Sequence, residues 1–409
     1  MQRQQRCVPH VERFLQGICA FCQVWVHATR MRALMAAVGA LFRCNSLSVS
    51  TLGRALPGKP KQGIKRIDRL LSNTHLVRDT PRYYEAISHT VIAEVERPIL
   101  LMDWTKVADG FSALTTSVAL DGRSIAIYTE THPVSKQANA RVEKAYLKSL
   151  RNVLPQGSCP LIVADAGFGS AFFKLVHQTM GWDFVVRLRG TRTLQEQDST
   201  AWVACSDLHD TATLRPRELG MWRVCKTRSK ELYRLVTVRK RRRDQRKRTT
   251  ATGSFATRGY MKRSREPWLL ATSLPQLDAD AAAVITLYSK RMQIEENFRD
   301  LKSHRFGWSL SYVRCSCAQR LNVLLLIASL AMVAALILGR IAEQKGIHRK
   351  YQGNTVKNRR VLSFFSLGTM ILQRGDTEWL ALNNFHVELC AMRELFNPAY
   401  VAGQPHENT

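Results

Sequence analysis

The chain reads as an α/β protein with helical ends, and three observations predict this. Near residue 98 the hydrophobic pattern changes from helical spacing to short apolar runs of strand length. From there to residue 190 the order is three strands, helix, strand, helix, strand. After residue 305 helical character returns.

Taken in order, residues 1–95 are helical and basic. SLSVSTLGRALPG (46–58) suggests a capped helix ended by Pro57 and Gly58. After the KPKQG turn, IKRIDRLLSN (64–73) puts Ile64, Ile67, Leu70 and Leu71 on one face and Lys65, Arg66 and Arg69 on the other. Two short helices around such a turn resemble a helix-turn-helix, and the same pattern suits a helical hairpin with a solvated basic face. PILLMDWTKV (98–107) is a buried-strand run, and residues 113–130 form a hairpin turning at Asp121-Gly122. A helix over 136–153 follows, then a strand (159–170) running into a Gly-rich turn, a helix (171–182) and a strand (183–190). This is the element order of an RNase H-like fold. Residues 191–265 interrupt it with strand-like pieces at 221–227 and 231–240 and the basic run RKRRRDQRKR (239–248). That run is a solvated loop, a DNA-binding loop, or both. WLLATSL (268–274) is a further strand, and a helix follows.

Composition narrows the partners. Among 409 residues, 61 are Lys or Arg and 32 are acidic, a formal charge of +29. A polyanion partner follows, nucleic acid being the commonest; membrane-surface binding is the other option. The ten cysteines form no framework. Cys19-x2-Cys22 and Cys315-x-Cys317 lack partners at zinc-finger spacing, which favours reduced cytosolic thiols over a structural zinc. No secretory signal is read at the start. Residues 321–339 are apolar and long enough to span a bilayer, but a buried helix in a strongly basic chain is the preferred expectation, with no membrane.

Residues 288–302, YSKRMQIEENFRDLK, are the most informative stretch. They contain no Pro or Gly and read as one helix. At roughly 100° per residue, Tyr288, Arg291, Glu295 and Lys302 fall within an arc of about 60°. Ile294, Phe298 and Leu301 form an adjacent apolar stripe, and Glu296 and Asp300 point away. A carboxylate flanked by phosphate-seeking groups is what metal-dependent DNA cleavage requires. Asp103 lies late on the first strand and Asp165 at the end of a later one. Alone, each would be a turn or helix-capping residue. With Glu295 they make an all-oxygen donor set suited to Mg²⁺ or Mn²⁺, two of which can clamp an in-line phosphoryl displacement. Glu296 is the rival to Glu295.

The spacing Y-x2-R-x3-E-x6-K resembles the signature of DDE transposases of bacterial cut-and-paste insertion sequences (the insertion sequence four family). LLMDWTKV (100–107), LIVADAGFGS (161–170), EPWLLATSLP (266–275) and NTVKNRRVLS (354–363) extend the likeness over about residues 45–365. The resemblance implies an RNase H-like catalytic core over 96–305 with a β-rich insertion at about 191–265. A helical DNA-binding region (1–95) and a helical region for DNA contacts and dimerisation (306–409) would flank it. It implies Asp103, Asp165 and Glu295 as catalytic, metal-binding acids for two Mg²⁺ ions, which Mn²⁺ can replace. Tyr288, Arg291 and Lys302 would hold a DNA phosphate, Trp268 a flipped base, with Met292 as a wedge. Lys65, Arg66, Arg69, Arg241, Arg242, Arg243, Lys357, Arg359 and Arg360 are the further DNA contacts expected. The partners implied are double-stranded transposon ends and target DNA, bound by a homodimer in the bacterial cytoplasm at the nucleoid. An RNase H-like nuclease or resolvase, and an inactive DNA-binding protein, are the alternatives.

Overall fold

The computed structural model describes residues 2–21, 27–225, 231–240, 266–353, 355, 356 and 358–397. They fall into two compact units. One comprises Met1–Ser158 with Met292–Asn397, and the other is built on Cys159–Arg291.

Five helices open the first unit: α1 (Gln2–Phe21), α2 (Ala28–Cys44), α3 (Val49–Ala55), α4 (Pro60–Leu71) and α5 (Thr74–Ile92). The expected KPKQG turn is instead the first turn of α4. Pro60 sits at its first position, where the missing N–H had no intrahelical partner to lose. Ile67, Leu70 and Leu71 are buried, while Lys65, Arg66 and Arg69 are exposed. Strands β1 (Ile99–Ala108), β2 (Phe111–Ala119) and β3 (Ser124–Pro133) form an antiparallel meander in the order β3-β2-β1, with its hairpin turn where the sequence places it. Helix α6 (Ala140–Val153) starts later than expected, because the Asn139 side chain caps it by accepting the N–H groups of Arg141 and Val142.

The second unit contains β4 (Leu161–Ala164), α7 (Ser170–Lys174), β5 (Asp183–Leu188), β6 (Thr193–Glu196), β7 (Val203–Ala204), β8 (Arg217–Val224), β9 (Leu232–Val238), β10 (Trp268–Thr272) and α8 (Ala281–Ser289). It is a large mixed sheet in the order β4-β5-β10-β9-β8-β6-β7. Among the described residues of this unit β4 and β5 are the parallel pair, and α7 lies in the crossover that such a pair requires. The expected strands at 221–227 and 231–240 are β8 and β9. Strands β6 and β7 are too short to leave a periodic signal.

The chain then returns to the first unit with α9 (Met292–Lys302), α10 (Ala318–Gln344), α11 (Phe364–Arg374) and α12 (Leu382–Arg393). The single helix expected over 288–302 is two, with Lys290 and Arg291 in the turn between α8 and α9. Their amides bond three residues back, to Leu287 O at 3.2 Å and Tyr288 O at 3.0 Å, which tightens the end of α8. No residue there breaks helices. Helix α8 buries Val284, Leu287 and Tyr288 in the second unit, and α9 buries Ile294, Asn297 and Phe298 in the first. Burial in two cores overrides propensity, so the stripe drawn on one helix axis does not cross the break.

Helix α10 carries the apolar run. It is long and apolar enough to cross a membrane, but residues 323–339 are buried without interruption. Helices α2, α5, α11 and α12 and strand β3 cover it. Each unit of this mixed α/β chain thus has its own core.

On α6, Glu143 is 1 % exposed. Burial pushes its carboxyl from the ordinary 4.5 up to about 7, and the Trp104 indole only partly offsets this. The folded state keeps a proton that the unfolded chain releases at lower pH. Stability therefore falls as pH rises from about 4.5 to about 7 and levels off above, by on the order of 3 kcal/mol. Glu143→Gln is expected to remove this component. Urea unfolding at pH 5 and pH 8 tests it: the variant should lose less stability than the wild type, and parallel losses would contradict the assignment.

Candidate active site

In the first unit, strand alternation puts Asp103 and Thr105 on one face of β1 and Met102 and Trp104 on the other. The Trp104 backbone N–H donates to Asp103 Oδ1 at 2.8 Å, fixing one carboxylate oxygen. Asp103 is half-buried and pairs with Thr115 of β2. Lys302, at the end of α9, donates its ammonium to Thr105 Oγ1 at 2.5 Å. Burial lowers the Lys302 ammonium, and the Asp103 carboxylate opposes that shift. Asp103, Thr105 and Lys302 therefore share one face of β1.

Glu295 and Glu296 are separated by their partners. Asn297 Nδ2 donates to Ser124 O at 2.9 Å, tying α9 to β3. Arg123, just before β3, bonds Asp300 at 2.5 Å and lies 3.6 Å from Glu296, which Arg299 also contacts. Burial is the largest influence on Asp300 and pushes its carboxyl up to about 6 against the pull of Arg123. Glu296 is thus engaged in an internal cation–carboxylate cluster. Glu295, the neighbouring acid, is half-buried.

In the second unit, Asp165 follows the last residue of β4. Gly167 N–H donates to its Oδ1 at 2.7 Å. A Cβ on Gly167 would stand 2.8 Å from the same oxygen, so only glycine lets the amide come this close. Arg192 holds this turn from outside, one guanidinium nitrogen donating to Ala166 O at 2.8 Å and Phe168 O at 2.7 Å. Tyr288 is 2 % exposed and packs edge-on against Trp268, ring centroids 4.7 Å apart. Burial raises the Tyr288 hydroxyl, with Arg291 and Arg187 opposing the shift and Asp165 adding to it. Tyr288, Arg291, Arg187 and Asp165 are therefore electrostatic neighbours. Arg187, Arg192 and Arg123 were missed in the sequence, where an isolated arginine carries no signal.

The other expected contacts divide. Trp268 is 8 % exposed with the Lys240 ammonium 3.6 Å from its ring centre, whereas Met292 is 44 % exposed. Arg359 is exposed. Arg360 is half-buried, paired with Glu343 at 3.0 Å and stacked 3.7 Å from the Phe364 ring centre. Arg241, Arg242, Arg243, Lys357 and Cys22 lie outside the described residues. Among the described residues no group of three or more His, Cys, Asp or Glu side chains is spaced to hold a metal by itself.

Asp103 on β1 and Asp165 in the turn after β4 are each half-buried, each with one carboxylate oxygen held by a backbone N–H. Residues 96–332 match the model of the transposase DDE domain, more than half of the chain. The chain belongs to that family, whose members act on DNA and normally use divalent metals. A search of curated proteins finds no match.

Arg192→Ala is expected to cost about 1–3 kcal/mol, since it strips a charged donor from two carbonyls. The check is the urea midpoint, with limited proteolysis opening a new cut within 165–170. An unchanged midpoint and digest would show that Arg192 does not hold this turn.

Proposed function

We propose that the chain is a DNA transposase moving an insertion sequence by cut-and-paste. The match to the transposase DDE domain over residues 96–332 carries this reading. The charge of +29 supports a DNA partner. On this reading residues 96–305 are the RNase H-like catalytic domain with its β-rich insertion at about 191–265, residues 1–95 bind DNA, and residues 306–409 add DNA contacts and dimerisation. A homodimer assembled on DNA would pair the two ends, in the bacterial cytoplasm at the nucleoid.

Asp103, Asp165 and Glu295 are the proposed acids. Their carboxylate oxygens fit Mg²⁺, which completes its shell with waters and substrate phosphates around one or two carboxylates and needs no all-protein cage. Two Mg²⁺ ions, or Mn²⁺ in their place, would supply Lewis acidity to an in-line phosphoryl displacement. The backbone N–H groups on Asp103 and Asp165 orient those carboxylates before substrate arrives. Glu295 is the third acid that the motif spacing assigns, and Glu296 is paired with Arg123 and Arg299. Lys302, held on Thr105, and Arg291 beside Tyr288 would grip a phosphate of the DNA end.

The reaction assigned is hydrolysis at each transposon end, attack of the freed 3′-OH on the opposite strand to form a hairpin, hydrolysis of that hairpin, and attack of the 3′-OH on target DNA. Trp268 would receive a flipped base once Lys240 leaves its face, with the exposed Met292 as wedge. Lys65, Arg66, Arg69 and Arg359 are exposed and available to phosphates.

The test uses DNA carrying the inverted repeats that flank the coding sequence. Asp103→Asn, Asp165→Asn and Glu295→Gln are each expected to lower Mg²⁺-dependent end cleavage about 100-fold or more with DNA binding retained, and Glu296→Gln to keep activity. Full activity of the first three would refute the assignment. Cleavage without hairpins or joined products would make the protein a nuclease instead.

A further inference from the structure

The segment linking α9 to α10, residues 303–317, contains no individual residue with a role above. It belongs to a stretch without a single carboxylate: from Leu301 to Ala342 there is no Asp or Glu, while Lys302, His304, Arg305, Arg314 and Arg320 are cationic or can become so.

Its backbone is fixed. Trp308 is fully buried, edge-on to Phe42 and Phe365 at 6.4 and 4.9 Å. Leu310 and Val313 are buried as well. Trp308 N–H donates to Asp300 O at 2.9 Å, and Leu47 N–H to Trp308 O at the same distance. Gly307 passes so close to α9 that a Cβ would lie 1.9 Å from Asp300 O. The turn Leu310–Tyr312 packs on β1, the strand of Asp103.

From this anchored loop two rings stand out into solvent, Phe306 at 64 % and Tyr312 at 67 % exposure. Each has a cationic or ionisable companion. The Arg305 guanidinium lies 5.1 Å from the Phe306 ring centre, and the His304 ring lies 5.1 Å from Tyr312. His304 Nδ1 is held at 3.2 Å from Ser309 Oγ. Arg314 is exposed two residues beyond Tyr312.

Exposed rings interleaved with cations, on a rigid backbone with no acid, match one ligand chemistry: aromatic base faces joined by phosphates. In a stacked duplex the base faces are hidden, so these rings gain contact only with nucleotides that have left the stack. We propose that residues 303–317 form a stacking ledge for unpaired DNA, with Phe306 and Tyr312 taking base faces and Arg305 and Arg314 the adjoining phosphates. This rests on DNA being the partner of the chain. It adds a site for strands that are single or melted, beyond the acids and the phosphate-gripping residues already assigned.

The test is fluorescence anisotropy with the full chain, using a labelled oligo-dT of about 20 nucleotides and a duplex of the same length. Phe306→Ala with Tyr312→Ala is expected to weaken single-strand binding by about 10- to 100-fold, as loss of stacked bases does, with duplex binding within about threefold. Phe306→Trp, which keeps a stacking face, should retain the single-strand affinity. Arg305→Ala with Arg314→Ala should weaken binding to both and flatten the salt dependence. Duplex binding with an unchanged single-strand affinity in the double alanine variant would overturn the ledge alone. Equal losses for both ligands would overturn its preference for unpaired strands. Wild-type protein that binds neither ligand would overturn the ledge and the DNA reading together. Sedimentation completes the test: if the alanine pair alters self-association and leaves single-strand binding intact, the rings are a protein contact and the proposal fails.

Discussion

Arg123 leaves the turn before β3 and meets two carboxylates of α9, Glu296 and Asp300. It is the contact that sets the rotation of that helix. A nearly buried guanidinium facing a buried carboxylate is weak evidence for net stability, because both ions lose water. Its effect is specificity: rotating α9 would strand Asp300, 3 % exposed, without its cation. With Glu296 and Asp300 committed to Arg123, and Asn297 tied to Ser124, the rest of the helix has little choice. Lys302 reaches Thr105 on β1. A single arginine in a hairpin turn thus engages two carboxylates of one helix.

Both aspartates are prepared in the same way. Each has one oxygen accepting a backbone N–H, from the next residue for Asp103 and from two residues on for Asp165. The supports differ. Asp103 sits within a regular strand, whose pleat orients it. Asp165 sits in an irregular turn, which needs Gly167 for clearance and Arg192 to hold its carbonyls. Regular secondary structure positions a side chain through its periodicity, and a turn must be held in place by side chains from elsewhere.

The strong positive charge divides along similar lines. Arg192, Arg234 and Arg360 bond carbonyls or carboxylates of the chain itself: Arg234 alone holds Glu218, Leu274 O and Ala279 O. Those guanidinium groups are structural. Lys65, Arg66, Arg69, Arg305 and Arg314 are exposed and keep their charge for an outside partner. A count of basic residues therefore overstates the charge exposed at the surface.

Much was legible in the residues alone. Apolar runs and hydrophobic period marked the meander of β1 to β3, the strands β4, β5, β8, β9 and β10, and the buried α10, because burial of one face leaves a repeating trace and burial on all sides a continuous apolar run. The motif likeness pointed to DDE transposases, and residues 96–332 match the transposase DDE domain. Other features left no such trace. The break at Lys290 and Arg291 has no local cause and exists because two cores each claim one side of the stretch. Arg360 looked like a DNA contact, yet Glu343 and Phe364 take it inward. Sequence by itself determined which groups supply the strong basic charge and which runs make most of the helices and strands. Only the tertiary structure decided which of those groups are engaged and which are exposed, since hydrogen bonds and ion pairs between residues far apart in the chain follow from packing and not from spacing.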